Sequence, residues 1–291
     1  MENCMMKSVY FVLLLALAVL IWSCGSNEEP VSPPQYRISW IYADEAYHIF
    51  EYDAAGRIVK WDYNGSPNMS VASTFEYREQ TNTIEIKSEE TLTEKDVWSF
   101  VETLYLNPDG TADRAVGTVV LNFDGSRMIK NYTVDFQYNS SRQLVKLNAA
   151  ERVVNDYGQE GSPLEWSAGL EWDGNNLVKY TEFSNPAIPM ITKNYEYFGG
   201  QTVDYLPIVQ GCILRRYYLP LQYQGVLGMN AVGLVKRMEV MSNNGDITTD
   251  FSYKMSASIY SSRIEEYTES RNGRESVYTV GWESKPTTVG N

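Results

Sequence analysis

From Tyr36 to Trp282, polar and apolar residues trade places at every second position. Tyr132, Val134, Phe136 and Tyr138 alternate with Thr133, Asp135 and Gln137, and Ile191, Tyr195 and Tyr197 alternate with Thr192, Asn194 and Glu196. Trp98, Phe100, Leu104 and Leu106 share one parity, which Glu102 breaks. Side chains that switch face at each residue, in runs rich in aromatic and β-branched types, predict half-buried strands. Turn signals separate the runs. Asp53-Ala54-Ala55-Gly56, Asn107-Pro108-Asp109-Gly110 and Ser242-Asn243-Asn244-Gly245 fit three-residue hairpin loops closed by a glycine at positive φ. Asp173-Gly174-Asn175-Asn176 and Arg271-Asn272-Gly273-Arg274 fit two-residue loops.

A phrase recurs at the start of several runs. Ile58-Val59-Lys60 returns as Leu144-Val145-Lys146, Leu177-Val178-Lys179 and Leu234-Val235-Lys236, the first three each after an aromatic run and a turn. In the first copy Tyr52 should pair with Ile58 and Asp53 with Arg57. Arg142 stands where the first copy has Gly56, so that turn is expected to differ. The copies have no fixed period, which disfavours a solenoid or propeller and favours a long antiparallel meander. Turn signals predict roughly 14–18 strands of ordinary length. Sheets of that size curl or close because free edges invite aggregation. The expected fold is therefore all-β: a large up-and-down meander curled into a barrel or half-barrel. Side chains alone cannot fill a barrel of about 16 strands. The stretch from Leu206 to Val232 is too long and too apolar for a hairpin loop, and its part from Tyr217 to Met229 is expected to form a short helix or coil plugging the mouth or lumen. The competing reading makes it two strands interrupted by Pro207 and Pro220.

The N-terminus adds an address. Phe11 to Trp22 is apolar over about 12 residues, short of the ~20 that span a bilayer, and matches the core of a secretory signal. Ile21-Trp22-Ser23-Cys24 resembles a bacterial lipobox, in which Cys24 is acylated and becomes the new N-terminus. The expected organisation is a lipoprotein signal peptide over 1–23, an acylated cysteine and Pro- and acid-rich tether over 24–35, and one β-meander domain over 36–291. Cys4 leaves with the leader and Cys24 is blocked, so Cys212 is expected to be a buried structural thiol and no disulfide framework forms. The balance of 24 basic against 37 acidic residues, net −13, disfavours nucleic acid as a partner.

The lipobox, the acidic tether, hairpins of the form F-x-Y-[DN]-x-x-G-R-[IL]-V-K and a late Leu-Gly-x-x-x-x-x-Leu turn together resemble a Bacteroidota lipoprotein family of unknown function. That family is described as having a porin-like β-sheet fold. The hairpins are also similar to the YD repeats of Rhs-type proteins, without their regular spacing. The resemblance implies an outer-membrane lipoprotein, facing either the surface or the periplasm, and supplies no catalytic residues to transfer.

The candidate chemistry is sparse. The single histidine, His48, lies in a strand pattern and is expected to be a structural residue with a satisfied hydrogen bond. No G-x-S-x-G elbow, phosphate cradle or multi-histidine or multi-cysteine metal site is present, and no cofactor is expected. Asn107 to Asp113 has its glycine at the wrong position for a calcium loop. Asp44, Glu45 and Asp62 lie close in sequence to Trp40, Tyr42, Trp61 and Tyr63, aromatics of the kind on which sugars stack. Those four are the candidate ligand contacts. The expected role is a non-catalytic binding module, anchored through acyl chains, for a glycan or an envelope protein. The alternatives are a structural or adhesion component and a carboxylate-pair glycoside hydrolase. Thr287-Thr288-Val289-Gly290-Asn291 carries no terminal aromatic of the outer-membrane type, so the expected barrel is water-soluble.

Overall fold

The computed structural model describes residues 36–284 apart from 44–45, 67–68, 94, 156, 186–187, 203–215, 229–230, 232, 244 and 257–262. The candidates Cys24, Cys212, Asp44 and Glu45 therefore lie outside the described residues.

Sixteen strands follow one another: β1 (Tyr36–Ala43), β2 (Ala46–Tyr52), β3 (Ile58–Ser66), β4 (Met69–Arg78), β5 (Thr83–Thr93), β6 (Asp96–Leu106), β7 (Ala112–Phe123) and β8 (Ser126–Tyr138) form the first half. The second half is β9 (Leu144–Val154), β10 (Leu164–Asp173), β11 (Asn176–Asn185), β12 (Ile188–Thr202), β13 (Gly233–Ser242), β14 (Ile247–Met255), β15 (Ile264–Arg271) and β16 (Arg274–Ser284). Each pairs antiparallel with its neighbours, and β16 returns to β1 through pairs running from Tyr36–Ser284 to Tyr42–Thr279. The meander is thus a closed barrel, which leaves no free edge.

The alternation becomes inside and outside. Along β6, Phe100, Glu102 and Leu104 are buried while Val101 and Tyr105 are exposed. Along β4, Val71, Ser73 and Phe75 are buried between exposed Ala72, Thr74 and Glu76. Glu102 keeps the parity of its strand and points its carboxyl group into the barrel.

The turns largely follow the sequence. Tyr52 pairs with Ile58, the Asp53 N–H donates to the Arg57 carbonyl at 2.9 Å, and Gly56 takes φ +81°. Asp173 pairs with Asn176 and Arg271 with Arg274 across two-residue loops. The turn at Arg142 corrects the expectation. Its two backbone bonds, Asn139 N–H to Gln143 carbonyl and Arg142 N–H to Asn139 carbonyl, both 3.0 Å, match those of the Asp53 loop, and Arg142 itself adopts φ +61°. Left-handed backbone costs an L residue about 1–2 kcal/mol. The Arg142 side chain offsets part of that by an ion pair with Asp109 at 3.0 Å and a bond to the Asp109 carbonyl at 3.0 Å.

The recurring phrase marks a repeated joint. At each copy the ladder shifts register, between Glu51 and Tyr52, Gln137 and Tyr138, Glu171 and Trp172, and Glu196 and Tyr197. Such a bulge frees a backbone group from the ladder. Aromatics at the ends of even-numbered strands satisfy carbonyls near the starts of the strands before them. Trp172 Nε1 donates to Leu144 at 2.8 Å, Tyr197 Oη to Leu177 at 2.6 Å, Tyr253 Oη to Val235 at 2.8 Å and Trp282 Nε1 to Ile264 at 2.7 Å. These side chains ring one mouth of the barrel.

The same mouth carries the plug. A 3-10 turn (Arg216–Tyr218) leads into the short helix α1 (Leu219–Tyr223), with Pro220 in its first turn, where the missing N–H costs nothing. Tyr217, Tyr218, Leu219, Leu221 and Val226 are buried. Plug and wall exchange bonds: the Ala112 N–H donates to the Val226 carbonyl at 2.7 Å, Tyr77 Oη to Gln224 Oε1 at 2.7 Å, and Gln224 Nε2 to the Gly56 carbonyl at 3.1 Å. The described part of the apolar stretch is thus a plug rather than two further strands.

Candidate functional site

The plug is pinned from inside the barrel by Glu102. Tyr132 Oη and Tyr217 Oη each lie 2.9 Å from Glu102 Oε2, and Tyr218 Oη donates to Oε1 at 2.6 Å. Tyr132 comes from the wall, and Tyr217 and Tyr218 come from the plug. A buried carboxyl oxygen without donors is costly, so three hydroxyls explain how an acid survives among Phe100, Leu104 and Phe136. Gly117 makes the arrangement sterically feasible. It pairs with Glu102 on one side and Tyr132 on the other, and a Cβ there would fall 2.5 Å from the Tyr132 hydroxyl oxygen. The tyrosine reaches across the bare glycine to the acid.

Beneath the plug lies a cavity of about 250 Å³, lined by His48, Trp61, Tyr63 and Gly65 from β2 and β3, Tyr267, Glu269 and Tyr278 from β15 and β16, and Arg216 and Leu219 from the plug. Drug-sized ligands occupy roughly 300–1,000 Å³, so this space fits something smaller. Its walls are two aromatic ladders. Trp61 and Tyr63 stack with centroids 6.0 Å apart, His48 sits 4.5 Å from Tyr63, and Tyr267 and Tyr278 lie parallel at 4.5 Å. Barrel closure brings the two ladders together from opposite ends of the domain.

The polar groups of this cavity are under-satisfied. His48 Nδ1, Trp61 Nε1, Tyr267 Oη and Arg216 Nη1 are buried and find no hydrogen-bond partner among the described residues. Each such orphan costs about 1–3 kcal/mol. The expected satisfied hydrogen bond of His48 is therefore not seen at Nδ1. Burial lowers the His48 pKa to about 3, so its ring is neutral at pH 7. Burial raises the Glu269 carboxyl above its ordinary value, opposed by Arg271 and by a hydrogen bond from Tyr278.

The candidate contacts named from sequence divide across the wall. Trp61 and Tyr63 line the cavity. Trp40 and Tyr42 share the opposite face, in edge contact at 5.0 Å, with Tyr47 6.0 Å from Tyr42, and Tyr42 is exposed. Asp62 also lies outside, 2.8 Å from Lys60. Sequence reading missed Tyr267, Glu269, Tyr278 and Arg216. The one available signal was Glu269 on the inward parity of Tyr267. Among the described residues no cluster of three or more His, Cys, Asp and Glu side chains could hold a metal ion.

The structure thus defines a closed sixteen-stranded up-and-down barrel with a plugged lumen and an aromatic internal cavity. It is similar to a porin-like protein from Bacteroides uniformis ATCC 8492, at 16% identity and TM-score 0.53 over 88% of this chain and 100% of that one. A porin-like protein from Bacteroides vulgatus ATCC 8482 matches at 12% identity and TM-score 0.53, over 84% of this chain and 98% of that one. These likenesses establish a porin-like fold. No protein-family model and no curated protein matches the chain.

Proposed function

We propose that this chain is an envelope lipoprotein: a water-soluble barrel tethered through acylated Cys24, holding a small ligand in its lumen without transforming it. The observation that carries this reading is the distribution of polarity across the wall. Membrane-spanning barrels present an apolar band outward and polar groups inward. Here the outward face carries cross-strand ion pairs, Glu51–Lys60 at 3.0 Å, Arg78–Glu85 at 2.7 Å, Glu171–Lys179 at 2.9 Å and Arg237–Asp250 at 2.7 Å. The inward face carries Ile58, Ile84, Ile86, Leu104 and Leu147. Charges on a lipid-facing wall would cost about 2–4 kcal/mol each at mid-depth, so water is the better solvent for this exterior.

Of the acids considered for the hydrolase alternative, Asp62 lies outside in an ion pair, across the wall from Trp61 and Tyr63. The adhesion alternative keeps one supporting feature, the outer aromatic trio of Trp40, Tyr42 and Tyr47.

Phase partitioning in a clouding detergent tests the anchor. The full chain should enter the detergent phase and Cys24→Ala the aqueous phase. A Cys24→Ala chain that still follows the detergent would mean that the strands themselves hold the membrane. Protease treatment of intact and lysed cells then distinguishes a surface from a periplasmic domain.

A further inference from the structure

Two charged side chains of opposite sign, Arg216 and Glu269, line the aromatic cavity, and no ion pair joins them. Arg216 descends from the plug and Glu269 rises on β15. Arg216 Nη1 is buried with no acceptor among the described residues, and two neutral donors share that condition, Trp61 Nε1 and Tyr267 Oη. Trp61 and Tyr267 are each only 1% exposed, so bulk water does not replace the missing acceptors. A set of converging donors that includes a guanidinium matches a carboxylate, which offers about four lone-pair sites and accepts from arginine in a fork. A simple carboxylic acid would also meet Glu269. A ligand that carries an ammonium group as well turns that repulsion into a second ion pair, and the faces of Tyr63, Tyr267 and Tyr278 favour a cation beside them. The remaining wall, Leu219 and the ring faces, suits a compact apolar side chain.

We propose that the lumen cavity binds a small zwitterion of the free amino acid type, its carboxylate on Arg216, Trp61 and Tyr267 and its ammonium on Glu269. This rests on the reading of the barrel as a ligand-binding module and narrows it to one chemical class. The neutral ring of His48 fits the same picture, because it adds a hydrogen-bonding group without adding charge. Arg216 belongs to the plug, so a bound zwitterion bridges plug and wall and should stiffen the plug.

The test is calorimetric titration of the full chain, kept in mild non-ionic detergent, with L-leucine and L-phenylalanine, with 4-methylpentanoate and 3-methylbutylamine as their single-charge analogues, and with D-glucose. At least one amino acid should bind, and both analogues should bind at least about tenfold more weakly, as loss of one charge-assisted contact implies. Arg216→Met should weaken amino acid binding about tenfold to a hundredfold, and Glu269→Gln should do so while leaving 4-methylpentanoate no weaker. The analogue comparison uses the unaltered protein, so a variant that fails to fold does not blunt it. If 4-methylpentanoate or glucose binds best, the zwitterion assignment is overturned and the binding-module reading stands. If none of the common L-amino acids, sugars or carboxylates binds, both fall together.

Discussion

The two ends of this barrel solve the problem of a wide lumen in opposite ways. At the mouth that holds the starts of β1, β3 and β9, the inward side chains are Ile38, Ile58 and Leu144, aromatics cap the bulge carbonyls, and the plug fills what remains. Toward the other mouth several inward positions of the same wall turn polar, beside apolar ones such as Val71 and Leu121. Lys130 pairs with Glu151 at 3.2 Å, and Lys193 sits 5.4 Å from the Tyr180 ring, whose hydroxyl is 3.4 Å from Glu182. The plugged end is organised by burial and cannot lose a partner cheaply. The open end keeps its charged pair partly exposed, at 24% and 17% of the side-chain surface for Lys130 and Glu151. One strand periodicity therefore supports an apolar core and a more polar chamber within a single wall, with Glu102 at the boundary.

That contrast can be broken most sharply at Glu102. Glu102→Leu removes the carboxylate that accepts from three buried tyrosine hydroxyls, of which Tyr132 and Tyr217, 3.0 Å apart, can still bond to each other, and should destabilise the barrel by about 2–4 kcal/mol. Hydrogen exchange should show residues 216–228 opening first. Lys130→Met, at the open end, should cost less than Glu102→Leu in the same denaturation experiment, because its pair with Glu151 is partly exposed. Equal losses from the two variants would erase the distinction.

Gly117→Ala attacks the same network through the wall. The new methyl must displace the Tyr132 hydroxyl or the Val101 carbonyl, which lie 2.5 and 2.9 Å from its ideal position. A cost of about 1–3 kcal/mol is expected, reduced in the Tyr132→Phe background if the hydroxyl is the obstacle.

Acid should sharpen the comparison next. The unfolded His48 protonates below pH 6.5, whereas the folded ring stays neutral to about pH 3, so stability falls as pH falls through that window. From pH 7 to pH 5 the loss from this residue is about 2 kcal/mol. Glu269, with its folded pKa raised, acts in the opposite sense, favouring the folded state as pH falls toward its unfolded value. Comparing urea midpoints of the wild type and His48→Phe at both pH values isolates the histidine, and the variant should show the flatter dependence.

The smallest effect belongs to the outer wall. Arg237→Ala removes an exposed ion pair with Asp250 and should leave the urea midpoint close to that of the wild type.

Much of this architecture was legible in the sequence because strand and turn signals are local. Gly56, Gly110 and Gly245 announced their turns, and the plug announced itself by being too apolar for a loop. Glu102 was legible as a break in parity, though not as the acceptor of three hydroxyls, because Tyr132 and the plug tyrosines lie far away in the chain. The turn at Arg142 was misread, since an ion pair with another loop stabilises an arginine where a glycine is expected. The cavity was half visible. Parity shows that Trp61 and Tyr63 share a face, as do Trp40 and Tyr42, but it does not say which face is the inner one. Tyr267, Glu269 and Tyr278 meet Trp61 and Tyr63 only because β16 returns to β1, a pairing that no local signal encodes.

The central claim is that this barrel carries its apolar face inward and is dissolved by water. The direct measurement is size-exclusion chromatography with light scattering on residues 25–291, purified without detergent, together with its circular dichroism. The account predicts a folded, monodisperse β protein of discrete mass. Aggregates that resolve into folded barrels only when detergent is added would contradict it, and would place the charged wall in a membrane after all.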